Sequence, residues 1–198
     1  MPRVSDQHLA ARRRQILDAA ARCFVAEGFH QTSMQDVIQA AGLSVGAFYR
    51  YFPSKTDLIR AIAEETVGDL LIELDATVRS GSPPRLVDAM WQVLNIAEQR
   101  ISGDQRARLA VQVWAEALRD PELAELVADI YQRVRDRLTL LATRAAEDGQ
   151  LPAGADPGSV GAVLFGLVQG YLLQRLLVGK VDVSAYHAGI AALLTSGA

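Results

Sequence analysis

Apolar residues recur at steps of three and four along almost the whole chain, and no stretch alternates with the period of two that a half-buried strand needs. That regularity restricts the chain to packed helices. In the first segment Leu9, Ile16, Ala20 and Phe24, with Leu17 alongside, form one stripe, and Gly28 fits a left-handed stop. Ser33-x-x-Asp36 reads as a capping box opening a second helix that turns Met34, Val37, Ile38 and Ala41 inward. Gly42 then suits a tight turn, Ser44 a helix cap, and Pro53 ends a brief third helix. Ser54-x-x-Asp57 is a second capping box, starting a long helix through Leu58, Ile62, Leu70, Leu74 and Val78. Gly68 inside that helix predicts a bend or a close contact.

Beyond it, Ser80–Pro84 has linker composition. Leu86, Met90, Leu94, Ala97 and Ile101 mark a helix ending near Gly103, and Leu109, Val113 and Ala117 mark another. Asp120-Pro121 and Asp156-Pro157 each place an N-cap before a proline at the first helical position. The first opens a stripe from Leu123 to Ala145 and the second a helix closed by Gly179, with a last helix holding Tyr186, Ile190 and Leu194. The expected fold is all-α with about nine helices.

Half of the 198 residues are hydrophobic and 22% are charged, so a buried core is expected and general disorder is excluded. The single cysteine, Cys23, excludes a disulfide framework and fits a small buried hydrophobe. His8, His30 and His187 lie far apart, without the helical spacing that groups metal ligands. No nucleophile elbow, phosphate-cradling loop or dinucleotide fingerprint occurs, so no catalytic residue, metal or cofactor is expected. The N-terminus shows no apolar run of a secretory signal, and a cytoplasmic protein is expected. Charge is unevenly placed: residues 1–60 hold eight Lys/Arg against five acids, a surplus of +3, while the remainder stands at −6. A polyanion partner is therefore expected for the first part only.

Gln31–Asp57 carries the most information. It reads as helix, glycine turn, short helix and proline stop, the order of a helix-turn-helix. On the second of these helices Val45, Phe48 and Phe52 are expected to face the core, leaving Ser44, Gly46, Ala47, Tyr49 and Arg50 outward. Small residues at a helix start let its backbone approach a base-pair edge, and a phenol and a guanidinium farther along suit phosphates. Lys55 adds a charge where a helix N-terminus already favours an anion.

Thr32-Ser33, Asp36-Val37, Ala41-Gly42-Leu43-Ser44, Gly46, Phe48-Tyr49-Arg50-Tyr51-Phe52 and Ser54-Lys55-x-x-Leu58 resemble the N-terminal signature of the TetR family of bacterial transcription regulators. Upstream, Arg14-x-Ile16-Leu17-x-Ala19-Ala20 and Phe24-x-x-x-Gly28-Phe29 are similar to that family's first helix. The match covers roughly residues 12–60; Ile38 stands where alanine is usual and Phe48 where leucine is. The resemblance implies a DNA-binding domain over 1–54 and a ligand-binding and dimerisation domain over 55–198. It implies that Ser44, Val45, Gly46 and Ala47 approach bases and that Thr32, Ser33, Tyr49 and Lys55 hold phosphates. Arg12, Arg13 and Arg14 fit either an adjacent groove or a solvated basic terminus.

The partners it implies are a double-stranded DNA operator, a second copy of the chain and a small-molecule effector whose binding releases the DNA. For the effector, Trp91, Leu94, Val113, Trp114, Tyr131 and Phe165 are expected to line an apolar pocket, with Gln112, Glu116 or Gln169 as polar contacts. For the homodimer, Val160, Leu164, Leu167, Tyr171 and Leu176 with Ile190 and Leu194 are expected at the interface. Pro157–Gln174 is uncharged and near bilayer length. Gln169, Gln174 and Arg175 interrupt it and no positive flank follows, so a dimer bundle is the expectation and a membrane span is not. A DNA binder of this fold without an inducer is the alternative, and an enzyme a more distant one.

Overall fold

The computed structural model describes residues 6–79, 85–103 and 106–195; the expected linker at 80–84 lies outside them. The described residues form α1 (Asp6–Glu27), α2 (Met34–Ala41), α3 (Val45–Tyr49), α4 (Lys55–Arg79) and α5 (Leu86–Gly103). They continue with α6 (Arg106–Ala117), α7 (Pro121–Glu147), α8 (Pro157–Leu177) and α9 (Val183–Thr195). The punctuation follows local chemistry. At Ser33 both halves of the capping box form, and Gly42, at φ +65°, takes the left-handed conformation that resists a Cβ. Asp120 accepts from the amides of Glu122 and Leu123, and Asp156 from that of Ser159, so each Asp-Pro pair caps a helix as its sequence predicts.

The chain divides into two compact units. One runs to Thr66 and takes in α6 and the first turns of α7 through Val127; the other holds α4 from Val67, α5, the rest of α7, α8 and α9. The division falls inside α4 rather than at the expected 54/55 boundary. The physical reason is that Leu58, Ile59, Ala61 and Ile62, on the first turns of α4, are buried and belong to the N-terminal unit. Gly68 lies just past the division within unbroken helix, and a Cβ there would meet nothing within 4 Å, so the expected close contact is absent.

In the first unit Ile16, Leu17, Ala20 and Phe24 of α1 are fully buried, as are Val37, Phe48 and Leu58. Ile38 is accommodated in the same interior at 7% exposure. In the second unit Leu74, Met90, Leu94, Leu138, Leu141, Leu164 and Tyr171 form one apolar cluster, with α5 packed on both α8 and α9. α7 and α8 touch through backbone: a Cβ on Gly161 would lie 2.7 Å from both Thr139 Cα and Thr139 N. A small residue there is what lets the two helices meet so closely.

Candidate nucleic-acid interface and effector site

In the N-terminal unit α1 packs on α2, and the turn at Gly42, which caps the end of α2, leads into α3. Gln15 of α1 donates Nε2–H to the Ala41 carbonyl at 2.7 Å, satisfying an acceptor that the end of α2 leaves open. Arg12 in turn donates to Gln15 Oε1 at 2.9 Å. Arg13 is committed inside the unit, with Glu65 at 3.0 Å and its guanidinium 5.5 Å from the Phe52 ring. Of the three arginines, only Arg14 stands fully exposed. Nothing local in the sequence marks the Arg13 pairing, because its partners lie 39 and 52 positions away.

α3 is pinned by Phe48 and Phe52 in the core. Val45, expected beside them, is instead 54% exposed. It is the first residue of a five-residue helix, too short for three stripe positions all to be enclosed. Ser44, Gly46, Tyr49 and Arg50 face outward as expected, with Ala47 half-buried. Ser44 has the extended backbone of an N-cap, yet its side chain makes no capping bond, so its hydroxyl stays available on the surface. Gly46, the second residue of α3, has open space around it: a Cβ there would meet nothing within 4 Å, so packing within the chain does not require glycine at this position.

Two hydroxyls expected to hold phosphates are engaged internally. Thr32 is 1% exposed and its hydroxyl reaches the carbonyls of Gly28 at 2.9 Å and Cys23 at 3.2 Å, closing the end of α1. Ser33 donates its hydroxyl to Asp36 at 2.6 Å, and the bonds of the capping box hold the Asp36 carboxyl below the usual range. A carboxylate beside that hydroxyl repels a phosphate. Both residues bond within the turn ahead of α2, Thr32 buried and Ser33 exposed.

Lys55, the first residue of α4, lies over the Phe29 ring at 4.4 Å and donates to the His30 carbonyl at 3.3 Å. Burial lowers its pKa, while the charge of Glu116 on α6 works to raise it. The Phe29 amide donates to Gln112 Oε1 at 3.0 Å, and His30 Nδ1 is 3.9 Å from Glu116 Oε2. Gln112 and Glu116, expected to contact an effector, therefore attend the turn after α1.

In the second unit the aromatic set assembles only in part. Tyr131 and Phe165 meet edge to face at 4.9 Å, and Gln169 donates Nε2–H to the Tyr131 hydroxyl. Burial raises the Tyr131 phenol, more than the bond from Gln169 lowers it, so it stays neutral over the physiological range. The Trp91 ring lies 5.1 Å from that of His187 at a tilt of 54°, a partner the sequence did not suggest, and Leu94 is fully buried core. Val113 and Trp114 belong to the other unit. A polar group the spacing concealed is Glu98, which receives Tyr171 Oη at 2.5 Å, Ser102 Oγ at 2.7 Å and Arg175 through two nitrogens at 3.2 Å.

The expected dimer face also needs correction. Leu164, Tyr171 and Ile190 are enclosed by their own unit, and Val160, Leu167, Leu176 and Leu194 are half-buried. The exposed side of α8 is Ser159, Val163, Gly166, Gln174 and Leu177, with Val163 at 63% and Leu177 at 73% exposure. On α9 it is Ser184, Ala185, Ala188, Gly189, Ala192 and Leu193, the last at 74%.

A short outward helix, fixed by two buried phenylalanines behind a left-handed glycine turn, defines a DNA-binding regulator of the helix-turn-helix class. Residues 16–62 match the model of the bacterial regulatory proteins, tetR family, and residues 85–196 match that of the BetI-type transcriptional repressor C-terminal region. The chain belongs to the TetR family and is a DNA-binding transcriptional regulator. It is 32% identical over 186 residues to the HTH-type transcriptional repressor Rv1474c of Mycobacterium tuberculosis, covering 83% of this chain and 95% of that one. Among solved structures, Salmonella enterica GusR superposes with a TM-score of 0.80 at 26% identity over 98% of this chain and 97% of that one. A SmeT–triclosan complex does so at 0.76 and 26% identity, over 94% and 93%.

Proposed function

We propose that this protein is a cytoplasmic homodimeric repressor that binds a palindromic operator through α3 and is released by a small apolar or aromatic molecule held in its second unit. The exposed side of α8 and α9 carries this reading. It combines Val163, Leu177 and Leu193 with Gly166, Ala188 and Gly189, an apolar face whose small residues let helices of a second copy approach closely. By length and composition α8 could also cross a bilayer. Its opposite side, through Leu164 and Tyr171, is already core of its own unit, and a second copy suits the remaining narrow stripe better than lipid all round.

Ser44, Val45, Gly46 and Ala47 are assigned to bases, and Tyr49, Arg50 and Lys55 to phosphates. Thr32 and Ser33 set the turn that positions them. The effector contacts are assigned to Tyr131, Phe165 and Gln169, together with Trp91 of α5 in the same unit. Similarity to the SmeT–triclosan complex supports a compact aromatic ligand, and similarity to a named repressor supports the sign of regulation.

Val163→Arg tests the dimer without disturbing the subunit, because the side chain is exposed in the single chain. A charge buried there against its own copy should populate monomer at micromolar concentration. Affinity for a two-half-site operator, with half-sites about 34–36 Å apart or a multiple of that, should fall by orders of magnitude. Light scattering and DNA titration on one sample read both quantities. A monomeric wild type, or a variant that binds the full operator like wild type, removes the dimer from the proposal.

A further inference from the structure

We propose that Glu116 on α6 is a built-in counter-charge to Lys55 that lowers the resting affinity of the DNA-binding unit for any duplex. This rests on Lys55 being a phosphate contact. The two side chains face the same small structure, the turn at Phe29 and His30. Lys55 leans on it through the Phe29 ring at 4.4 Å and the His30 carbonyl at 3.3 Å. α6 holds the same turn, with Gln112 accepting from the Phe29 amide at 3.0 Å and Glu116 at 3.9 Å from His30 Nδ1. Gln112 and Glu116 are one helical turn apart and so share a face of α6. Glu116 is only a quarter exposed, which limits how far water screens its charge.

A carboxylate so placed acts twice on an incoming phosphate. It repels the phosphate directly, and it offers the Lys55 ammonium an internal partner that DNA must replace. Burial of Lys55 disfavours its charge and Glu116 favours it, which is independent support for the two being electrostatically in touch. Both side chains reach the same residue, Lys55 Nζ at 3.3 Å from the His30 carbonyl and Glu116 Oε2 at 3.9 Å from His30 Nδ1, and partly buried charges are screened by salt less than exposed ones. Neutralising the carboxylate should tighten DNA binding roughly threefold per unit, or about tenfold for a site that engages two.

The test is the nearly isosteric Glu116→Gln, titrated against an operator duplex and a random-sequence duplex alongside Lys55→Ala and the double variant, with thermal melts confirming the fold. Glu116→Ala repeats the charge removal with a different side chain. Glu122→Gln is the control: it removes a like charge from the same unit, where Glu122 pairs with Arg60 at 3.6 Å. Glu116→Gln should tighten binding to both duplexes by the same factor, Lys55→Ala should weaken it, and the double variant should lose the gain. If Lys55→Ala leaves affinity unchanged, the phosphate assignment fails and the counter-charge with it. If Lys55→Ala weakens binding but neither Glu116 variant tightens it, the counter-charge alone is overturned. A gain that persists without Lys55, or is matched by Glu122→Gln, also overturns it.

Discussion

Removing the Glu98 carboxylate should be among the more damaging single changes in the second unit. Tyr171 is fully buried, and its hydroxyl has the Glu98 carboxylate as its partner at 2.5 Å. Glu98→Ala leaves that hydroxyl buried without this acceptor, which costs about 1–3 kcal/mol. The Arg175 guanidinium also loses two bonds, but it is solvent-accessible and water replaces them. The cost of the stranded hydroxyl, roughly 1–3 kcal/mol, corresponds to a fall in Tm of about 2–12 °C for a chain of this size. Tyr171→Phe should cost less, about 1–2 kcal/mol, because Glu98 keeps Arg175 and Ser102 as donors. Once the phenol is gone, Glu98→Ala no longer strands a buried group, so the two losses should fall short of additive by about 1 kcal/mol or more. Thermal and urea denaturation of both single variants and the double, at one protein concentration, measure this cycle. Strict additivity, or a Glu98→Ala no worse than Tyr171→Phe, would refute the reasoning.

Gly161→Ala should lower stability by about 1–3 kcal/mol, since the new methyl meets backbone atoms of Thr139 rather than a side chain that can turn away. Thr139→Ala should fail to rescue it, and a melt of wild-type stability would show that α7 and α8 separate at no cost. With pH, the buried cluster should weaken on both sides. Burial raises the Glu98 carboxyl, but hydrogen bonds from Tyr171, Ser102 and Arg175 outweigh it and hold it low, so its contribution is present above the ordinary carboxylate range and lost as pH falls through the lowered value. Burial and the Glu98 carboxylate push the Tyr171 phenol up, so its contribution is complete below about pH 10 and lost as pH rises beyond. Stability-against-pH curves should therefore lose their alkaline decline in part in Tyr171→Phe, and an unchanged curve would count against the assignment.

What was legible in the sequence was whatever a short range of residues decides. The capping box at Ser33, the left-handed turn at Gly42 and the Asp-Pro starts each depend on atoms within four positions, and each formed as read. Phe48 and Phe52 were legible for the same reason. Val45 was not, because a stripe argument presumes enough helix on both sides to enclose every position, and α3 has five residues. The burial of Thr32 was not legible either: its hydroxyl bonds the carbonyls of Cys23 and Gly28 at the end of α1, a tertiary demand that no local pattern marks.

The proposed dimer face shows a deeper limit. α8 is apolar nearly all round, so periodicity identifies no unique buried side. Leu164 and Tyr171 were assigned to the partner as part of a wide apolar face that exceeded what one core needs. The fold uses them to close its own core, and the side with Gly166 between Val163 and Leu177 is left outside. That division has a physical logic. A subunit core must be filled whether or not a partner is present, so it takes the large residues. An interface between two copies of one helix needs close approach first, so it takes small ones. In a helix apolar on both sides, the side with the smaller residues is then the better guess for the partner. Val163→Arg and Leu164→Arg separate the two roles: the first should dissociate a folded subunit, and the second should unfold it.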